Sequence, residues 1–229
     1  MPEKKANLYI CICIGVSNVE AVGQIYKVKD NQAIIIAEIN PYLYERQKIK
    51  SCLIRYDDGR KIRAEQRKKA YAIMADIADF TGYAPEQMKA LLKYYYIERY
   101  GGEYFSLSDC TVSVARDFIS YLIDFCFEHN IGTRDTLLNQ SDDISRYLYS
   151  CLANRKCAVC NKKGEIHHCE GSRVGMGFNR NKIENEGRYA ISLCRKCHSQ
   201  AHNDEHGFFD KYKIYGIKLD RYLCDKLGL

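Results

Sequence analysis

The sequence has no run of 18 or more apolar residues, which excludes a membrane-spanning helix. It also lacks a recognisable export signal. Met1-Pro2-Glu3-Lys4-Lys5-Ala6-Asn7 is polar, and the apolar stretch from Leu8 to Val16 carries cysteine and glycine without a small-residue cleavage site. That stretch reads as a strand, and the chain is expected in the cytoplasm. Without an export signal, 12 cysteines argue against a disulfide scaffold. Paired cysteines at short spacing then more often hold metal. Tryptophan is absent altogether, whereas 19 tyrosines supply rings that pack along one edge and hydrogen-bond at the other. With 229 residues and 46% hydrophobic content, the chain can build one large domain or two small ones.

Charge and histidine are unevenly placed. Residues 155–229 hold 15 Lys/Arg against 9 Asp/Glu, whereas residues 1–154 hold 20 of each. The whole formal excess of +6 therefore lies in the last third. Five of the six histidines (His167, His168, His198, His202 and His206) fall in the same segment.

The first part reads as β-rich. Leu8 to Ile14, Ala33 to Ala37 and Lys50 to Tyr56 are apolar or β-branched runs closed by turn residues, and they predict a small sheet with the second run buried. From Ala64 the period becomes helical. Ala70, Ile73, Ile77 and Phe80 share one face up to the stop at Thr81-Gly82. Pro85 opens a second helix with the stripe Met88, Leu91, Leu92 and Tyr95, ended by Gly101-Gly102. A third, strongly apolar helix follows Ser108-Asp109 and runs to Asn130. Ser141 is the expected cap of a further helix to about Leu152. The expected class is α+β, with a β-then-helical domain over 1–132, a linker helix over 133–154 and a second domain over 155–229.

The chemistry concentrates in that second domain. Cys157-x-x-Cys160 and Cys194-x-x-Cys197, separated by 33 residues, can supply four thiolates to one tetrahedral zinc. Such an ion staples a segment too small for a large core of its own. His198 and His202 are four apart and share a helix face, a spacing that suits joint ligation of a second metal. His167 and His168 are adjacent in a strand-like segment and point to opposite faces, so one can bind metal while the other meets a different partner. His206, beyond Asp204-Glu205, reads as a surface residue.

These motifs resemble the HNH nucleases of the ββα-metal kind, in the subgroup with a four-cysteine structural zinc, over about residues 155–215. The resemblance implies a zinc-stapled HNH domain that hydrolyses phosphodiester bonds. It makes His168 the general base, and His167, His198 and His202 the ligands of a catalytic divalent ion (Mg, Mn, Ni or Zn). The family's central Asn stands where this chain has Tyr189. Asn179, Asn181 and Asn185 are the nearby alternatives.

Arg173, Arg180 and Lys182 lie in a glycine-rich loop after the doublet, and Arg195 and Lys196 open the helix of the second cysteine pair. All five can meet DNA phosphates. Ten basic residues crowd positions 46–69, among them Arg60, Arg63 and Arg67, with Tyr42, Tyr44 and Tyr56 nearby. Rings beside a basic groove suit single-stranded DNA. The stretch from Arg60 to about Ile131 is similar to the phage Orf (NinB-like) recombination mediators. That likeness implies a homodimer that binds single-stranded DNA and meets single-strand-binding protein, and the DNA expected for the whole chain is single-stranded or branched. The expected function is thus an HNH endonuclease of phage-type recombination. The competing reading is a non-catalytic mediator whose zinc module only grips DNA.

Overall fold

The computed structural model describes residues 8–14, 17–30, 32–37, 53–56, 59–172 and 184–229. Its contacts divide the chain into two compact units, residues 1–63 with 105–114 and residues 64–104 with 115–229. Helices and two small sheets make the α+β class expected from the sequence.

The first unit carries a four-stranded antiparallel sheet. Strands β1 (Leu8–Ile14), β2 (Ser17–Lys29), β3 (Gln32–Ala37) and β4 (Leu53–Tyr56) stand in the order β3-β2-β1-β4. Strand β2 has no apolar run of its own. It is recruited by pairing with β1 from Ser17 opposite Ile14 to Gly23 opposite Leu8. The expected burial of β3 does not hold, because Ile34 and Ile36 are more than half exposed on this edge strand. A β-branched run makes a strand, but its burial needs a covering layer that the run itself does not report.

In the second unit, α1 (Ala64–Thr81) packs on α2 (Pro85–Tyr100). Pro85 sits in the first turn of α2, where its missing N–H is no loss. Gly101, at φ 77°, ends the helix by donating its N–H to the Ile97 carbonyl. The buried side of α2 runs through Met88 and Leu92. Tyr96 then meets Phe118 and Tyr121 edge-on at 5.4 and 5.6 Å. Tyr95, expected on that face, is 42% exposed, since packing follows the i,i+4 ridge and not the i,i+3 step. Phe80, in the last turn of α1, is likewise exposed. Helix α3 (Val112–Glu128) is buried on nearly every side, from Ala115 through Phe127, as its sustained apolarity requires.

A short α4 (Leu137–Gln140) leads to α5 (Ile144–Ala153). The cap of α5 is Asp143 rather than Ser141, its carboxylate accepting from the Arg146 N–H at 3.1 Å. Next come β5 (Glu165–His168), β6 (Tyr189–Leu193), α6 (Arg195–Asn203), α7 (Glu205–Tyr212), β7 (Ile217–Lys218) and α8 (Arg221–Leu227). The strands form an antiparallel sheet in the order β5-β6-β7, and α6 packs against both β5 and β6. Helix α5 packs on β6 and α8, with Leu152, Ala190, Leu219, Leu223 and Leu227 in one buried cluster.

Tyr147 joins α5 to the first cysteine turn. Its hydroxyl donates to the Ala158 carbonyl at 2.8 Å and accepts from Asn161 Nδ2 at 2.8 Å. Tyr147→Phe removes the donor to the Ala158 carbonyl and leaves Asn161 Nδ2 only the long contact to the Cys157 carbonyl at 3.5 Å, so we expect a loss of about 1–3 kcal/mol, read as a lower urea midpoint with the m-value unchanged.

Candidate metal centre

The first cysteine pair lies in a tight turn between α5 and β5. Cys157 N–H donates to the Lys162 carbonyl at 2.7 Å and Asn161 N–H to the Cys157 carbonyl at 2.9 Å. Asn161 holds φ 57°, a left-handed conformation that asparagine tolerates better than most residues. Ala158 N–H bonds the Ser192 carbonyl on β6 at 2.8 Å, which brings this turn beside the second pair at the start of α6. The four sulfurs of Cys157, Cys160, Cys194 and Cys197 lie within 4.8 Å of one another. Cys160 Sγ and Cys194 Sγ are 3.6 Å apart. Four sulfurs about 2.3 Å from one zinc would stand about 3.8 Å apart, so the set fits a tetrahedral ion.

A second, separate group forms from imidazoles. One ring nitrogen each from His167, His198 and His202 lies within 4.8 Å of the other two. Along α6, His198 and His202 stack at 4.7 Å between ring centroids. His167 meets both edge-on at 4.9 Å from β5. It is 1% exposed, and its Nδ1 has no hydrogen-bond partner among the described residues. A buried ring nitrogen left without a partner, on an imidazole grouped with two others, fits a metal ligand. Burial pushes the His167 pKa below the ordinary imidazole value, partly offset by its hydrogen bond to Glu205. His198 Nδ1 lies 3.2 Å from Glu165 Oε2, and this contact draws the Glu165 carboxyl below its usual range.

His168 points away from this group, as alternation along a strand requires, and pairs across the ladder with Ala190. Burial, and next the nearby Arg188 cation, lower its pKa from the ordinary imidazole value. The ring is therefore neutral near pH 7. Tyr189, expected at the central Asn position, is half exposed, whereas Asn185 is buried.

Arg195 and Lys196 are exposed on α6, with Arg195 Nη1 3.4 Å from Glu165. Arg60 and Arg63 are exposed and Arg67 half-buried. Arg173, Arg180, Lys182, Asn179, Asn181, Tyr42 and Tyr44 lie outside the described residues. His206 stands apart from the imidazole group on the surface, 3.1 Å from Glu170.

Sequence reasoning missed Glu205. Its buried carboxylate lies 3.0 Å from His167 Nε2 and accepts the Glu170 N–H at 2.7 Å. The available signal was an acidic residue three positions beyond His202, where a new helix starts.

Residues 39–229 match the family described as "Putative HNHc nuclease". The chain belongs to that HNH nuclease family. Membership carries nuclease activity as the coarse function and DNA as the substrate class. The HNH match extends well upstream of the cysteine turns and takes in the helical segment from Arg60 to Ile131. No match supports the likeness of that segment to the Orf mediators. No curated protein and no solved structure matches the chain. Among the described residues, no helix is long and apolar enough to cross a membrane.

Proposed function

We propose that this chain is a metal-dependent HNH endonuclease that hydrolyses DNA phosphodiester bonds, with His168 as general base. The observation that carries the reading is the division of labour across β5. His167 turns to His198 and His202 while the neutral His168 faces the other way. His168 Nδ1 is shut off from solvent, so the ring accepts the proton of the attacking water at Nε2. A divalent ion on the three imidazoles would supply Lewis acidity at the scissile phosphate and offset charge on the leaving 3′ oxygen. The four cysteines hold zinc as an architectural staple.

In this reading residues 155–229 cut, and residues 1–132 hold single-stranded or branched DNA in a phage-type recombination process. Arg60, Arg63 and Arg67 there, with Arg195 and Lys196 on α6 and Arg173, Arg180 and Lys182 earlier in the sequence, meet phosphates. A homodimer and a single-strand-binding protein partner belong to the same proposal.

The decisive assay is cleavage of single-stranded, duplex, flap and junction DNA with Mg²⁺, Mn²⁺, Ni²⁺ or chelator. We expect nicking or cutting with at least one ion, none in chelator, and none from His198→Ala. Tyr189 at the central Asn position favours the competing reading, a zinc-stapled binder without catalysis. Tight DNA binding with no cleavage under any of these ions would establish that binder instead.

A further inference from the structure

We propose that Glu205 is a positioning residue of the imidazole metal site, and that it makes Nδ1 of His167 the ligand atom. This rests on the three-histidine reading above. A neutral imidazole has one N–H and one lone pair, and its hydrogen bonds decide which nitrogen carries which. Glu205 Oε2 lies 3.0 Å from His167 Nε2, and an ionised carboxylate can only accept. The proton therefore sits on Nε2, and the lone pair is left on Nδ1. That Nδ1 is the buried atom without a hydrogen-bond partner among the described residues.

The carboxylate is itself held in place. Its other oxygen accepts the Glu170 N–H at 2.7 Å, just beyond the end of β5. It is buried at the start of α7, three residues past His202. One corner of the chain thus carries two imidazoles and the group that orients the third. Glu165 stands in a similar relation to His198 Nδ1 at 3.2 Å, leaving Nε2 of that ring for metal. It is half exposed and shared with Arg195, so it constrains less. The site would then use Nδ1 from the strand histidine and Nε2 from the first helix histidine. Carboxylate partners of this kind fix ring orientation and raise ligand basicity.

A role confined to anchoring the Glu170 backbone would leave the imidazole unaffected, and Glu205→Gln separates the two. Glutamine has one acceptor oxygen for two donors, so His167 Nε2–H and Glu170 N–H can no longer both be served. The full chain, with its zinc content verified, is titrated with Co²⁺ by calorimetry. In parallel, the imidazole tautomers of the metal-free histidine site are read from long-range ¹H–¹⁵N spectra. In the wild type we expect His167 as the Nε2–H tautomer and a Co²⁺ site that His198→Ala abolishes. Glu205→Gln should weaken Co²⁺ binding by about 10–100-fold and mix the His167 tautomers, with zinc retained. His206→Ala, next in sequence but on the surface, should change neither.

Unchanged Co²⁺ affinity in Glu205→Gln overturns this inference alone. An Nδ1–H tautomer in the wild type does the same, whatever the variants do. A wild type with no Co²⁺ site, or one that survives His198→Ala, overturns both this inference and the three-histidine reading.

Discussion

His168→Ala should slow DNA cleavage by about 10²–10⁴-fold while leaving DNA affinity close to wild type. The size follows from what is removed. The ring is neutral and lies on the opposite face of β5 from His167, and in the proposed mechanism its Nε2 takes the proton of the nucleophilic water. It belongs to neither the imidazole trio nor the cysteine group. The variant should therefore keep its zinc, its second ion and its melting temperature. Single-turnover cleavage gives the rate, and fluorescence anisotropy on the same DNA gives the affinity. A variant that cleaves at the wild-type rate would remove His168 from the mechanism.

The second large effect is on stability. Cys157→Ala removes one of the four sulfurs and leaves the other three without a tetrahedral set. Structural zinc contributes about 10–16 kcal/mol in small zinc-dependent folds, comparable to the whole stability of a domain. Here α5, β6 and α8 share a buried apolar cluster, so part of the segment has support besides the ion. We expect a loss of about 5 kcal/mol, which for a chain of this size lowers Tm by about 10–20 °C. The first-pair turn and the start of α6 should lose hydrogen-exchange protection first, because both are tied to the sulfur cluster. Because α6 carries His198 and His202, cleavage should fall along with stability. A variant of unchanged Tm, from a wild type that holds no zinc, would end the staple assignment. The two substitutions have opposite signatures, a chemical loss on an intact fold and a folding loss that takes the chemistry with it.

Features set by spacing along the chain were legible in the sequence. Two residues between cysteines make a turn that presents both sulfurs to one point. Three residues between His198 and His202 put both rings on one helix face. Adjacent strand residues face opposite ways, which separates His167 from His168. Pro85 and Gly101 punctuate α2 where their backbone preferences demand. Each of these is a consequence of covalent geometry over a few residues.

What depends on distant partners was decided by tertiary packing alone. Whether Tyr95 or Tyr96 faces the core turns on which ridge of α2 meets α3. Whether Ile34 and Ile36 are buried turns on a covering layer that no local pattern encodes. Asp143 displaces Ser141 as the cap because the entry of the chain into α5 sets which side chain reaches the Arg146 N–H. Glu205 acquires its place beside the imidazole group only because the turn after α6 folds back onto β5, 38 positions earlier in the chain. A carboxylate's role is set by what stands 3 Å from it in space, and the amino-acid order carries that information only through the complete fold.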